Sequence, residues 1–310
     1  MSLKNNIKLE GVIPATLLAF DIDYKIDEKT SRKHIKDCSL TNGISAITVN
    51  GHSSEVHACD FEEQKRILNF SLDEVGNNVP VINGVYADGS IEAAKIAKMS
   101  EINGASALLC FPPQSMSMGG HLRPEMALEH FKRIADATDL PLICFNYPSA
   151  GNLTYPFETL LKLFETVPTI KAIKDWSNDP MLHEKNIRTF QNLSNPVNVL
   201  TTHSSWLMSS LVMGANGLLS GAGSVIANLQ VLLFNAIKTK DLKKAQEIND
   251  KIFPLVQAFY SPPFLDMHNR MKETLVLLGL MEKAIVRPPL MKLSKIEIDK
   301  LKRAIQLSGI

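Results

Sequence analysis

The sequence predicts a parallel (β/α)8 barrel, a TIM barrel, with a C-terminal helical extension. Three observations carry that prediction. Short apolar, strand-like runs recur eight times, at residues 12–17, 46–50, 79–83, 107–111, 142–146, 169–174, 197–201 and 217–220. They stand roughly 20 to 35 residues apart, the length of one strand–helix unit. The segments between them read as helices, and eight such units are the number that closes a barrel.

The helical segments follow in order. Residues 90–102 carry Ile91, Ala94, Ile96, Ala97 and Met99 and stop near Asn103-Gly104, a helix end. Pro124 stands at the first helical position of 124–136. Beyond the eighth strand lie 229–239, 242–259, 266–280 and 294–307. The first completes the last barrel unit, and the other three exceed what a minimal barrel needs. In 242–259, Ala245, Ile248, Ile252 and Leu255 share a face suited to covering the barrel or meeting another subunit. The expected division is a barrel over 1–240 and helices over 241–310, in one structural unit. The break at 260–269 has no functional account at this level.

Bulk properties exclude several classes. With 310 residues and 45 % hydrophobic content, the chain can bury one large core. Lysine and arginine number 33 against 32 acidic residues, a net charge of +1, so nothing attracts nucleic acid or a membrane surface. Residues 1–10 are polar and lysine-bearing, unlike a secretory leader. No run has the apolar length of a membrane span. Cys38, Cys59, Cys110 and Cys144 form no CxxC pair and read as reduced thiols of a cytoplasmic protein. Neither a P-loop nor a dinucleotide fingerprint is present, so no cofactor is expected.

Lys174 ends the sixth run. If that run is a strand, Ile170, Ala172 and Lys174 share one face, and Lys171, Ile173 and Asp175 the other. A lysine among Ile and Ala is poorly solvated, which disfavours its ammonium form. A neutral amine can attack a ketone and form a Schiff base. The alternative is a strand-end lysine whose head reaches water or pairs with Asp175.

Active sites of such barrels lie at the C-terminal ends of the strands. There the sequence offers Asn50-Gly51-His52-Ser53-Ser54-Glu55, Asn83-Gly84, Phe111-Pro112-Pro113, Phe145-Asn146-Tyr147, Thr201-Thr202-His203 and Ser220-Gly221. Gly51 admits a close backbone approach, and Ser53 and Ser54 add hydroxyls, so this loop can hold a carboxylate. It can equally be a polar turn with a helix cap. Gly221-Ala222-Gly223 is a weak phosphate-site hint or a plain turn.

These residues resemble the dihydrodipicolinate synthase / N-acetylneuraminate lyase family over nearly the whole chain. Gly51, Ser53 and Glu55 fall on the first glycine, second hydroxyl residue and glutamate of its G-[ST]-T-G-E loop. Ile82-Asn83-Gly84, His130-Phe131, Asp139-Leu140-Pro141 and Ile173-Lys174-Asp175 resemble its V-x-G, H-F, D-[LIV]-P and I-K-[DE] segments. The resemblance implies Lys174 as the Schiff-base residue, Ser53 as a ligand of the keto-acid carboxylate, and a homo-oligomer, dimer or tetramer. Departures accompany it. The family's Y-N-x-P tyrosine position is Phe145, with Tyr147 two residues on. Pro112-Pro113-Gln114 replaces P-Y-Y, so the tyrosine lent to a neighbouring subunit is missing. Ala150 stands where the synthase has an arginine that grips its aldehyde substrate.

The expected function is therefore a cofactor-free Schiff-base lyase, an aldolase or dehydratase, acting on a 2-keto acid. Pyruvate or a 2-keto-3-deoxy sugar acid suits it, and dihydrodipicolinate synthesis does not. Lys174, Tyr147 and His52 are the expected catalytic residues, with His203 a further acid/base candidate. Gly51, Ser53, Ser54, Ser220 and Gly221 are expected to bind substrate, with no metal. Two rivals remain. One is a catalytically silent keto-acid-binding paralogue; the other is a metal-dependent hydrolase or lyase using His52, Glu55 and His203.

Overall fold

Eight parallel strands alternate with helices in the computed structural model, which describes residues 7–310. The leader-free reading of 1–10 therefore falls partly outside the described residues. The strands are β1 (Gly11–Pro14), β2 (Ile47–Val49), β3 (Val81–Val85), β4 (Ala107–Cys110), β5 (Leu142–Asn146), β6 (Ile170–Asp175), β7 (Asn198–Thr201) and β8 (Gly217–Ser220). From β2 to β8 each strand pairs with its sequence neighbour, and β1 pairs with β8. Single bridges from Val12 to Ile44 and from Ala15 to Thr48 bring β1 to β2 and close the ring. The structure is the (β/α)8 barrel that the rhythm of apolar runs predicts.

The helices between them are α1 (Glu28–Ser39), α2 (Phe61–Val75), α3 (Ser90–Asn103), α4 (Pro124–Ala135), α5 (Phe157–Thr166), α6 (Pro180–Phe190), α7 (Leu207–Val212) and α8 (Gly223–Lys238). Local signals set their ends. Asp60 and Glu63 form a reciprocal capping box on α2, and Pro124 opens α4. Gly104, at φ 102°, closes α3. Ile91, expected on the apolar face of α3, is instead exposed. Helix α8 starts at Gly223, earlier than the 229–239 segment suggests, and absorbs the Gly221-Ala222-Gly223 turn at its N-terminus with a kink at Ile226.

Three further helices, α9 (Leu242–Phe259), α10 (Met267–Leu277) and α11 (Lys295–Ser308), follow the barrel. Ala245, Ile248, Ile252 and Leu255 are all buried on α9, against α8 and α11. Helix α10 reaches the turn that follows β2.

Two apolar layers divide the strand residues. Ile13, Ala46, Ile82, Leu109, Ile143, Ala172, Leu200 and Leu219 fill the barrel interior. Ile47, Val81, Leu108, Cys144, Ile173 and Val199 face the helices. Strict alternation, expected to put Ile170, Ala172 and Lys174 on one face, fails at one point of β6. Ile170 packs with the outer layer, whereas Ala172 lies inside. The pairing of β5 with β6 slips there, Leu142 opposing Ile170 and Ile143 opposing Ala172. An extra residue in one strand breaks the two-residue period. Past this irregularity the alternation resumes, and Lys174 follows Ala172 into the barrel.

Candidate active site

Lys174 sits near the C-terminal end of β6, 5 % exposed, with its Nζ 4.1 Å from the centre of the Phe145 ring. Burial lowers its pKa from an ordinary 10.5 to about 7. That difference corresponds to about 5 kcal/mol against the ammonium. The π face of Phe145 returns about 1–2 kcal/mol to the charged form, so desolvation dominates. A sizeable fraction of the amine is thus unprotonated at neutral pH, the state that attacks a carbonyl.

Asp175 does not pair with Lys174. It points to the helix side, where its Oδ2 accepts from His183 Nδ1 at 2.8 Å and Asn186 Nδ2 at 2.9 Å. Oδ1 accepts from the Ser177 N–H at 2.8 Å. Burial works to raise this carboxyl, but the bonds from His183 and Asn186 outweigh it and hold it well below the usual carboxylate range. His183 continues to the Ser210 hydroxyl at 2.7 Å. Behind Lys174, then, the end of β6 is tied to α6 and α7.

His203 belongs to this rear cluster rather than to the Lys174 side. Its Nε2 accepts from the Asn178 N–H at 3.0 Å, its ring stacks on Trp206, and burial pushes it down to about 3. Glu55 is paired elsewhere, as described below. The trio His52, Glu55 and His203 is therefore not assembled. Among the described residues, one set of three side chains has ligand atoms within 4.8 Å of one another, Asp175, His183 and His203. All three are buried and engaged in the hydrogen bonds just given. The metal-dependent alternative loses its donor set.

His52 and Tyr147 are brought together, although 95 residues apart. The Tyr147 hydroxyl is hydrogen-bonded to His52 Nε2. Tyr147 packs 4.6 Å from Phe145, so it does reach the side of the strand where the family tyrosine is replaced. Burial, together with the Lys174 charge, holds the His52 imidazole down to about 3. Burial also raises the Tyr147 phenol well above its ordinary value. Both partners are neutral at pH 7. Such a pair can pass a proton without creating a lasting charge in a poorly solvated site.

The turn after β2 begins with Asn50 at φ 52° and ends with Glu55 at φ 54°, both left-handed and costly for non-glycine residues. Asn50 is fixed by Nδ2 bonds to Asn83 Oδ1 (2.7 Å) and to the Gln64 carbonyl (2.8 Å). Gly84 lets β3 lie against this turn, since a Cβ there would sit 1.9 Å from the Asn50 carbonyl oxygen. Within the turn, Gly51 is buried and extended, and the Ser54 hydroxyl donates to the Thr16 carbonyl at 2.8 Å. Ser53 faces β8 instead. A Cβ on Gly221 would come within 2.7 Å of Ser53 Oγ, so that glycine lets the two loops meet. Ser220 is fully buried, held by Ser204 Oγ at 3.0 Å and Gln230 Nε2 at 3.1 Å. It supports the wall beneath Gly221.

Two features escape sequence reasoning. Glu55 and Lys272 of α10 form an ion pair whose side chains are both fully buried. The second Glu55 oxygen accepts from the Arg287 N–H at 2.9 Å, and the Arg287 guanidinium pairs with Glu63. The other feature is Tyr260, in the break between α9 and α10. Its hydroxyl accepts from the Ala222 N–H at 3.1 Å and from Ser204 at 3.2 Å, and it lies beside Gly221. The two prolines after Tyr260 mark an interruption, but only the fold shows that it returns to the barrel mouth.

A parallel eight-stranded barrel with a buried, weakly basic lysine at the end of β6 defines a class, the class I aldolase-type lyases. Comparison with known proteins supports this. The model of the dihydrodipicolinate synthetase family matches residues 8–308, and the chain belongs to that family. The 4-hydroxy-tetrahydrodipicolinate synthase of Methanopyrus kandleri is 27% identical, across 98% of this chain and 97% of its own length. That of Syntrophus aciditrophicus is 28% identical, across 97% and 99%. Among solved structures, E. coli K12 YagE, a prophage protein of the dihydrodipicolinic acid synthase family described in complex with pyruvate, superimposes with a TM-score of 0.89. It is 23% identical and covers 97% of this chain and 99% of its own. A monomeric dihydrodipicolinate synthase variant gives a TM-score of 0.87 at 22% identity, covering 97% of each chain. These two likenesses show the fold.

Proposed function

We propose that the protein is a Schiff-base lyase for a 2-keto acid, with Lys174 as nucleophile and the Tyr147–His52 pair as proton relay. The observation that carries this reading is the Lys174 amine, buried and lowered to about 7 beside Phe145. Ser53 and the backbone around Gly51 and Gly221 hold the carboxylate. Lys174 Nζ adds to the ketone, and water leaves to give an iminium. In aldol cleavage the C3–C4 bond breaks and its electron pair moves into the iminium, forming an enamine. The C4 hydroxyl proton passes to the Tyr147–His52 pair as the aldehyde forms. The enamine then takes a proton at C3, and water releases pyruvate and restores the amine. Dehydration uses the same iminium, with C3–H and the C4 hydroxyl as the groups lost. The relatives' synthase reaction is not assigned, because Ala150 occupies the position of the substrate-gripping arginine. The four buried free thiols support a reducing, cytoplasmic setting, and the family resemblance a homo-oligomer.

Borohydride reduction in the presence of pyruvate tests the reading. Peptide mapping is expected to place a pyruvyl adduct on Lys174, absent from Lys174→Ala. Failure to label under conditions that label a known family enzyme counts against it and favours a silent binding protein. Tyr147→Phe tests the relay. Exchange of the pyruvate methyl protons with D2O, read by NMR, is expected to slow about 10²–10⁴-fold. Unchanged exchange would remove Tyr147 from the mechanism.

A further inference from the structure

Part of the barrel mouth is polar. Ser53, Ser204, Ser220 and Tyr260 cluster near β7, β8 and the β2 turn. The remainder is aromatic, and the two parts meet where Tyr260 lies 6.4 Å from Phe264. Tyr86 meets Phe111 at 5.4 Å, Phe111 meets Phe145 at 5.3 Å, and Phe145 stacks on Trp176 at 6.3 Å with 24° between planes. Tyr147 lies 5.8 Å from Trp176, and Trp176 lies 5.8 Å from Phe264 of the 260–269 segment. The six rings form an arc from β3 across to the C-terminal segment, and the His52 ring packs edge-on against Tyr86, Phe111, Phe145 and Tyr147, which leaves Trp176 and Phe264 as the part it does not cover.

The arc has two properties that decide what it can hold. It passes the reacting atom at its middle, since Phe145 is the ring under Lys174 Nζ. It also ends in rings that are not closed off. Tyr86, Tyr147 and Trp176 are half-buried, and Phe264 is 44 % exposed. Among the described residues, Lys174 is the only cation lying over any of these rings. Of the arc's three polar tips, the Tyr147 hydroxyl is occupied by His52. A polyol tail would lose water against these ring faces, and a second carboxylate would find no cation over them other than Lys174 itself among the described residues. A flat apolar group would pack face or edge against these rings, and the near-parallel Phe145 and Trp176 offer it a stacking surface.

We propose that this arc is the tail-binding half of the site and selects 2-keto acids that end in an uncharged aryl or conjugated group. Trp176 and Phe264 are the specificity-determining residues. The proposal rests on the Schiff-base reading above and narrows its substrate class. The sugar-acid tails expected from the sequence give way to aryl ones.

The test compares borohydride capture of 4-phenyl-2-oxobutanoate, 2-oxoglutarate, 2-keto-3-deoxygluconate and pyruvate, each as the concentration giving half-maximal adduct on Lys174. The aryl acid is expected to need about tenfold less than pyruvate, and the other two no less than pyruvate. Trp176→Ala and Phe264→Ala are each expected to shrink the aryl-to-pyruvate ratio, a quantity internal to each variant and therefore insensitive to partial unfolding. Stronger capture of the polyol or the dicarboxylate, or an aryl acid no better than pyruvate, overturns the proposal while leaving the Schiff-base reading intact. If no acid is captured, the Schiff-base reading fails, and tryptophan emission decides the tail site separately. Quenching by the aryl acid that disappears in Trp176→Phe, where Trp206 remains as reference, upholds it; absence of quenching overturns it.

Discussion

Lys174→Met protein is expected to form no pyruvyl adduct, to lose activity by at least about a thousandfold, and yet to outlast the native chain in denaturant. The stability gain follows from the sign of the pKa change. The folded lysine titrates near 7, and an unfolded lysine near 10.5. Between these values the unfolded chain holds a proton that the folded chain has given up, so native stability rises with pH across the window. Below about pH 7 the folded lysine is charged inside the barrel, and the burden is greatest. Methionine removes it. The variant is expected to gain up to about 5 kcal/mol at the acid end of the window, and the gain is expected to vanish toward the alkaline end. Urea titrations of both proteins at several pH values read this directly. A variant less stable than the native chain below neutrality would mean that Lys174 is solvated or paired.

Lys272→Met is expected to cost about 3–5 kcal/mol, because it leaves the Glu55 carboxylate buried without a counter-charge. Burial lowers the Lys272 pKa, with a smaller push from the Arg287 charge, and the Glu55 carboxylate opposes that shift. Glu55→Gln combined with Lys272→Met is expected to recover a large part of the loss, since neither charge then remains. Equal urea midpoints for the single variant and the native chain would show that the pair contributes nothing. Because Glu55 ends the turn that carries His52 and Ser53, the single variant is also expected to bind pyruvate more weakly.

The barrel was readable because its signals are local and repeated. Apolar runs of four to six residues mark strands wherever they fall, and Asp60, Pro124 and Gly104 mark helix ends through their own backbone chemistry. The location of Lys174 could be argued from alternation, but not securely, since the pairing slip near Ile170 changes the count within the same strand. The result survives because Ala172 and Lys174 both lie beyond the slip. Glu55 shows the opposite case. Its place in a loop motif was visible, but its partner lies 217 residues away, and nothing in local patterning connects them. The aromatic arc was invisible for a similar reason. Tyr86, Phe111, Phe145, Trp176 and Phe264 come from five separate segments and look, one by one, like ordinary core residues.

The Glu55 anchor has a consequence for the order in which the protein is made. The turn that presents His52 and Ser53 leaves the ribosome early, whereas its counter-charge at Lys272 and its backbone donor at Arg287 emerge more than two hundred residues later. Until then the Glu55 carboxylate has no counter-charge and is stable only in water, so the turn cannot take up its buried position. Synthesis therefore supplies this turn's anchor late, and a chain that ends short of α10 lacks it altogether.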